Sequence, residues 1–518
     1  MRNIVNIINF IRVQDPRAPE RDFVTPVKKQ LELLDRYGFN GTFLLEYDAL
    51  ILPIYQDLLK HTRHEIGAWF EPVQALVERA GIPWRGREGY SWDWYSNVGI
   101  LAAYTPVQRE RLIDAYMQTF YELFGYYPVS VGAWVWDAHS LHYLREKYNV
   151  QAACICKEQY GTDGYTLWGG FFCGGYYPSR NNALSPARFG EGQINLPVFR
   201  MLGSDPIYQY DYGTDTESGC DSFQPVITLE PSCDGVGGAS PEWVDWFFDE
   251  TFGNDVGAYS YVQVGQENAM GWESMCDGLI YQLQKLAELK EKYDLQIETL
   301  SETGRWYVNA FSKTSPAVSF CRTDYLLRGK ATLWYNCSAY RVNFFFDNGT
   351  FRIRDLYAYS SEQREQYLTE PCSAKSSSYF TLPVIDGNRW SGGGVLAGLY
   401  FEGADSCEDV KYLNFSYERK ENNAELRVLT DRFGTIKIVC NVNGSLVVIP
   451  ERNSERLRLV FRCDTSRVDV MRIEQEKCAL SLIFKGFNYR ISLIGGIFIY
   501  DEYTEIEILQ KELKILFE

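Results

Sequence analysis

His64-Glu65-Ile66-Gly67-Ala68-Trp69-Phe70-Glu71 is the stretch on which the reading of the fold turns. Residues 65–70 form an apolar run of strand length, and Glu71-Pro72 ends it. A helical stretch, 54–60, precedes it. A long segment without periodicity, 81–97, follows it and is rich in Trp, Gly and Tyr, as a loop over a site would be.

The same alternation continues on both sides. Strands are expected at 4–13, 42–45, 129–135, 151–156, 196–202, 258–264 and 296–300, with helices at 27–37, 106–124, 141–148 and 273–293. Gly38 and Gly125 follow two of these helices, as C-terminal stops do. Nearly every strand runs into an acid: Asp15, Glu46 or Asp48, Glu71, Asp137, Asp205 and Glu267. Parallel β/α barrels build their sites at the C-terminal ends of the strands. Acids there also cap the helices that follow, so each one carries both readings.

Beyond Lys313-Thr314-Ser315-Pro316 the helical period gives way to short alternating segments with turn signals such as Asp347-Asn348-Gly349 and Asn443-Gly444. The expected architecture is a (β/α)7-type barrel over residues 1–308, followed by a β-sandwich domain over 317–518. A chain of 518 residues exceeds one compact core.

Composition narrows the partners. A formal net charge of −17 repels phosphate backbones, so nucleic acid is not expected, and no basic patch invites a polyanionic glycan. No run approaches a membrane span. The apolar start of the chain reads as a core strand rather than a signal peptide. The 13 cysteines have no framework spacing and no CxxC pair, which suits reduced thiols and a cytoplasmic location. Only four histidines are present. A homo-oligomer stays open.

The His64-Glu65-Ile66-Gly67 strand resembles the third-strand motif of the polysaccharide deacetylase (NodB-like) superfamily. Tyr37-Gly38-Phe39 leading to Thr42-Phe43-Leu44, and Gly132-Ala133-Trp134 through Tyr148-Asn149-Val150, resemble its neighbouring units. The resemblance implies the seven-stranded barrel and, in metal-dependent members, two histidines four residues apart. Here Trp69 and Val73 stand in those places, and Asp15 is followed by Pro16. No metal and no other cofactor are therefore expected. The layout is also similar to that of retaining α-glycosidases, which pair such a barrel with β domains and work with two carboxylates.

Glu267 is the first catalytic candidate: Gly265 loosens the backbone before it, and Gln266 and Asn268 flank it as hydrogen-bonding groups. Its other reading is a cap on the helix near Glu273. Asp137, beside Trp136 and His139, is the second, with an N-cap as its alternative. Glu71, beside the missing histidines, is the third. Asp15, Glu46 and Asp48 are read as ligands of substrate hydroxyls or as structural acids. Trp69, Trp136, His139, Asp163, Trp168, Gln266, Asn268 and Trp272 complete the expected substrate-binding set. The aromatic, Gly-rich segment 157–182 either stacks on sugar or packs on the second domain.

The expected function is a glycoside hydrolase acting on a neutral oligosaccharide or glycoconjugate by a metal-independent two-carboxylate mechanism. The alternatives are a non-catalytic carbohydrate-binding barrel, and a deacetylase-like hydrolase with an unusual metal set such as Asp15, His64 and Asp137.

Overall fold

The structure, a computed structural model, describes every residue except 163, 209–226, 233–234, 421–422, 453–455 and 501–503. At its centre lies β1 (Arg2–Ile11), almost wholly buried, as a parallel strand covered on both faces must be. One edge of β1 pairs with Tyr259–Val264. On the other side follow, all parallel, β2 (Thr42–Leu45), β3 (Glu65–Trp69), β4 (Ser130–Ala133), β5 (Ala152–Ile155) and Val198–Arg200. Leu295–Glu298 pairs with the first half of β1. The sheet curls as a barrel does. Among the described residues no ladder joins Val198–Arg200 to Tyr259–Val264, because the short antiparallel strand Gly175–Tyr176 occupies that edge. The seam is bridged instead by the Tyr259 hydroxyl, which accepts from the Gly175 amide at 3.0 Å.

The helices begin and end where local chemistry requires. Pro106–Phe124 has Thr105 as N-cap in a reciprocal capping box with Gln108, Pro at its first turn, and Gly125 at φ 79° after its end. Leu300–Ala310 repeats the box with Thr299 and Glu302. One glycine is needed for the site itself. Gly265 follows Tyr259–Val264 at φ 110°, and a Cβ there would sit 2.2 Å from the Ile8 carbonyl oxygen. That close approach carries residues 266–268 across the end of β1.

The second half is antiparallel. Asn348 and Gly349, at φ 45° and 89°, turn Tyr340–Asp347 into Thr350–Ala358. Two sheets, one from Ala317–Cys321 onward and one built on Tyr412–Arg419 and its neighbours, share an apolar core that includes Leu333, Phe344, Ile436 and Leu446. The aromatic segment after β5 joins the halves. Its strand Tyr165–Trp168 pairs in parallel with Ser377–Phe380. The Trp168 indole N–H donates to Asp386 at 2.9 Å. Phe172 stacks on Trp334 with ring centroids 3.9 Å apart. Of the two readings of segment 157–182, packing on the second half describes Trp168 and Phe172. No helix is long and apolar enough to cross a membrane among the described residues.

The contact at Gly265 gives a direct test. Gly265→Ala should lower unfolding stability by about 2 kcal/mol, the usual cost of forcing an atom into a packed site, read as a lower midpoint in urea. An unchanged midpoint would show that the two strands can separate freely there.

Candidate active site

Three strand ends meet around one cation. Arg12 directly follows β1, Glu71 lies two residues past β3, and Glu267 three past Tyr259–Val264. The Arg12 Nη2 atom is 3.4 Å from Glu71 Oε2 and 3.3 Å from Glu267 Oε2. Those two oxygens therefore lie within about 7 Å of one another. All three side chains are buried. Burial pulls the Arg12 pKa down, and the charges of Glu267, Glu71, Glu46 and Asp15 more than offset it, so the guanidinium is held charged. Its plane also lies over Trp92, 4.6 Å from the ring centroid.

The two carboxylates have different surroundings. Glu71 Oε2 accepts from Arg12, from the Trp69 indole at 3.2 Å and from the Trp134 indole at 3.3 Å. Glu267 Oε2 is within ion-pair range of Arg12 but has no hydrogen-bond partner. Burial pushes the Glu267 carboxyl up to about 7; Arg12 opposes the shift and Glu71 adds to it. Glu267 starts the short helical turn Asn268–Met270 without its side chain capping it, so the capping alternative does not describe it.

These groups line a cavity of about 410 Å3 at the strand ends, within the range of small-molecule sites. Its walls are aromatic: Phe10, Trp69, Trp92, Trp94, Trp134 and Tyr165. Trp92 and Trp94 come from segment 81–97, which does lie over the site. Trp69 stacks on Phe10 at 4.2 Å and meets Trp134 edge-on. Cys154 and Cys156, two apart along one strand, both face the cavity, as strand alternation requires. Gln266 also lines it, donating to Glu230 at 3.0 Å and accepting from the Glu267 amide at 2.8 Å.

Of the residues singled out from sequence, Glu267, Glu71, Trp69 and Gln266 come together here. The others among the described residues do not line the cavity. Asp137 is corrected. It accepts from the Ser140 amide and hydroxyl at 2.9 and 2.7 Å and from Arg109 at 2.9 Å, so its carboxylate is fully used as N-cap and buried ion-pair partner. Trp136 follows it into the wall, donating to the Cys154 carbonyl, and His139 lies on the flank of the same helix against Glu110. Trp168 belongs to the contact between the halves. Asp15 is held by Arg17, which lines the cavity in its place. Asp48 accepts from Gln14 at 2.5 Å and is raised to about 6 by burial. Glu46 is fully buried, with neither carboxyl oxygen hydrogen-bonded, and burial and the Glu71 charge hold its carboxyl well above the usual range. Asn268 clamps Arg12 from behind: its side chain accepts from the Arg12 amide at 3.0 Å and donates to the Arg12 carbonyl at 2.8 Å. Trp272 opens the helix Trp272–Lys292, partly buried against the core. Asp163 lies outside the described residues. Sequence reasoning missed Arg12, Arg17, Glu230, Trp92, Trp94 and Trp134 as cavity residues. The Trp-rich run 81–97 was the available signal for Trp92 and Trp94.

The donor set that a deacetylase metal needs does not fit this site. Trp69 and Val73 are buried apolar side chains, and among the described residues no three His, Cys, Asp or Glu groups gather as metal ligands. The set of Asp15, His64 and Asp137 is not assembled. His64 precedes β3 at the opposite end of the strand and accepts from the Gly41 amide at 3.3 Å. Asp137 is bound to Arg109.

No protein-family model and no curated protein sequence matches the chain. Its fold is similar to that of a solved structure described as a "putative glycoside hydrolase/deacetylase" from Parabacteroides distasonis, at 16% identity and a TM-score of 0.55, covering 73% of this chain and 90% of the other. The peptidoglycan deacetylase PdaC from Bacillus subtilis aligns at 12% identity over 60% of this chain and 93% of its own, with a TM-score of 0.28. The chain thus shares the fold of the Parabacteroides distasonis structure over most of that protein's length.

The raised Glu267 pKa has a consequence for stability. A carboxyl raised from 4.5 to about 7 on folding contributes stability that is fully present below pH 4.5 and is lost as the pH rises through about 7. Relative to Glu267→Gln, the wild type should lose about 3 kcal/mol across that window. Urea unfolding of both proteins at pH 4.5, 6 and 8 would measure it. A constant difference between them would show that Glu267 titrates normally.

Proposed function

We propose that this protein is a carbohydrate-acting hydrolase that cleaves a glycosidic bond with Glu267 and Glu71. One observation carries the reading: a buried Glu267 carboxyl, raised to about 7 and lacking a hydrogen-bond partner, shares Arg12 with Glu71 inside an aromatic-walled cavity. Such a pair offers the two roles the reaction needs, a Glu267 carboxyl that holds a proton and a Glu71 oxygen that accepts three N–H groups.

Glu267 supplies the proton to the leaving glycosidic oxygen. Near neutral pH a group of this pKa is protonated for a useful fraction of the time and is still a strong enough acid to give the proton up. Glu71 Oε2, with three N–H donors on it, is an acceptor only. Glu71 therefore faces the anomeric carbon, as nucleophile or as base to a water. Arg12 holds both carboxyl groups in register and offsets the charge that Glu267 acquires when it loses its proton. Trp69, Trp92, Trp94 and Trp134 offer flat faces for the apolar side of a pyranose. That the fold neighbour is described as a glycoside hydrolase/deacetylase supports a hydrolase of sugar derivatives.

The test uses a panel of nitrophenyl glycosides and, beside it, acetylated glycans. Release of nitrophenol with no release of acetate is the expected result. Glu267→Gln and Glu71→Gln should each lower kcat by about 10²-fold or more while leaving the fold intact. The wild-type rate should fall as the pH rises through about 7, since the acid loses its proton. Dialysis against a chelator should leave the rate unchanged. Acetate release abolished by the chelator would favour the deacetylase reading.

Asp137→Asn should behave differently from the two glutamates. Removing the charge that faces Arg109 leaves a buried cation unpaired and should cost about 3 kcal/mol of stability, with kcat reduced less than tenfold at a temperature where the variant is folded. A loss as large as that of Glu267→Gln would return Asp137 to the catalytic set.

A further inference from the structure

The open seam of the curled sheet holds a second, smaller cavity of about 60 Å3, between Val198–Arg200 and Tyr259–Val264. It has room for about four water-sized groups and is too small for a sugar ring. Lys157, Met201 and Leu202 line both it and the aromatic cavity, so the two adjoin.

Two side chains of its lining hold buried polar atoms without a hydrogen-bond partner. Arg200 is 3% exposed, and neither Nε nor Nη1 has a hydrogen-bond partner. No carboxylate of the described residues forms an ion pair with it, in contrast to Arg12, Arg109 and Arg341, three buried arginines that each pair with one. The Tyr261 hydroxyl, on the opposite strand of the seam, is also buried and without a partner. The one acid in the lining, Glu250, is engaged elsewhere: it accepts from the Arg322 and Thr323 amides, the Thr323 hydroxyl and the Asn254 side chain. Buried donors without acceptors are costly unless a water or ligand supplies them, and an unpaired buried guanidinium is the most costly of these.

We propose that the substrate carries an anionic substituent, a carboxylate or sulfate group on its sugar, and that this group seats in the seam cavity against Arg200 while the ring occupies the aromatic cavity. The inference rests on the glycoside-hydrolase reading of the neighbouring site. It replaces the neutral substrate expected from the net charge of −17. Overall charge governs approach from a distance, whereas a buried cation a few ångströms from the bound sugar governs which sugar stays.

Binding measured without turnover keeps the two readings apart. Calorimetric titration of full-length Glu267→Gln with D-glucuronate, D-glucose 6-sulfate, D-glucose and sodium sulfate is the experiment. At least one acidic sugar should bind tenfold or more tightly than D-glucose, in line with one charge-assisted contact. Whether glucuronate or the 6-sulfate is preferred identifies the group. Adding Arg200→Gln should erase the preference, and Arg200→Lys should restore part of it. If Arg200→Gln does not fold, Tyr261→Phe should still reduce the preference by about threefold. Equal binding of acidic and neutral sugars, or no binding of any acidic sugar, would overturn the proposal. So would sodium sulfate binding as tightly as the acidic sugars, which would make the seam an independent anion site. The same preference alongside a wild type that cleaves no glycoside would overturn only the hydrolase reading.

Discussion

Arg12 is shared by two carboxylates, and the site depends on that sharing. A buried guanidinium costs several kcal/mol in lost hydration unless charges and hydrogen bonds replace the water. Here Glu71 and Glu267 supply the charge and Trp92 supplies a ring face. Asn268 fixes the backbone of Arg12 at both its amide and its carbonyl. Because the cation belongs to β1 and the anions to strands on either side of it, the contact also ties three separate βα units together at one end of the sheet. Loss of Arg12 would remove the charge that opposes the upward shift of the Glu267 carboxyl, which would then hold its proton more tightly.

The asymmetry between the two acids follows from what else reaches them. Two indole N–H groups converge on Glu71 and none on Glu267. Trp69 is one of those indoles, in the place where the deacetylase resemblance puts a histidine. A tryptophan there supplies no metal ligand but a hydrogen-bond donor and a stacking face. Trp69 thus bears on both features, with Val73 on the misfit of a metal and with Trp134 on the environment of Glu71.

Much of the framework was legible in sequence because its causes are local. The strand runs, the glycine stops and the Asn348-Gly349 turn each depend on residues close together in the chain. The acids at the strand ends were legible as a set but not one by one. Asp137 and Glu267 both close a strand and precede a helix. What separates them is Arg109, 28 residues from Asp137 and turned into the wall to meet it, while Gly265 swings Glu267 over β1. Arg12 was passed over because an arginine after a strand reads as the point where the chain reaches solvent. Arg200 and Lys157, 43 positions apart, formed no patch in the sequence and meet only because the seam stays open. Trp168 and Phe172 looked like stacking platforms and instead weld the barrel to the antiparallel half, where Asp386 and Trp334 wait for them.

The central claim is that one carboxyl at this site keeps its proton to near neutrality. Carbon-13 NMR of protein labelled at the glutamate δ-carboxyl, titrated from pH 3 to pH 9 and compared with the Glu267→Gln protein, measures it directly. The account predicts a resonance with a midpoint near pH 7 that is present in the wild type and missing from the variant. If every resonance lost in the variant titrates below about pH 5, the range of ordinary glutamates, Glu267 is not the acid and the account is contradicted.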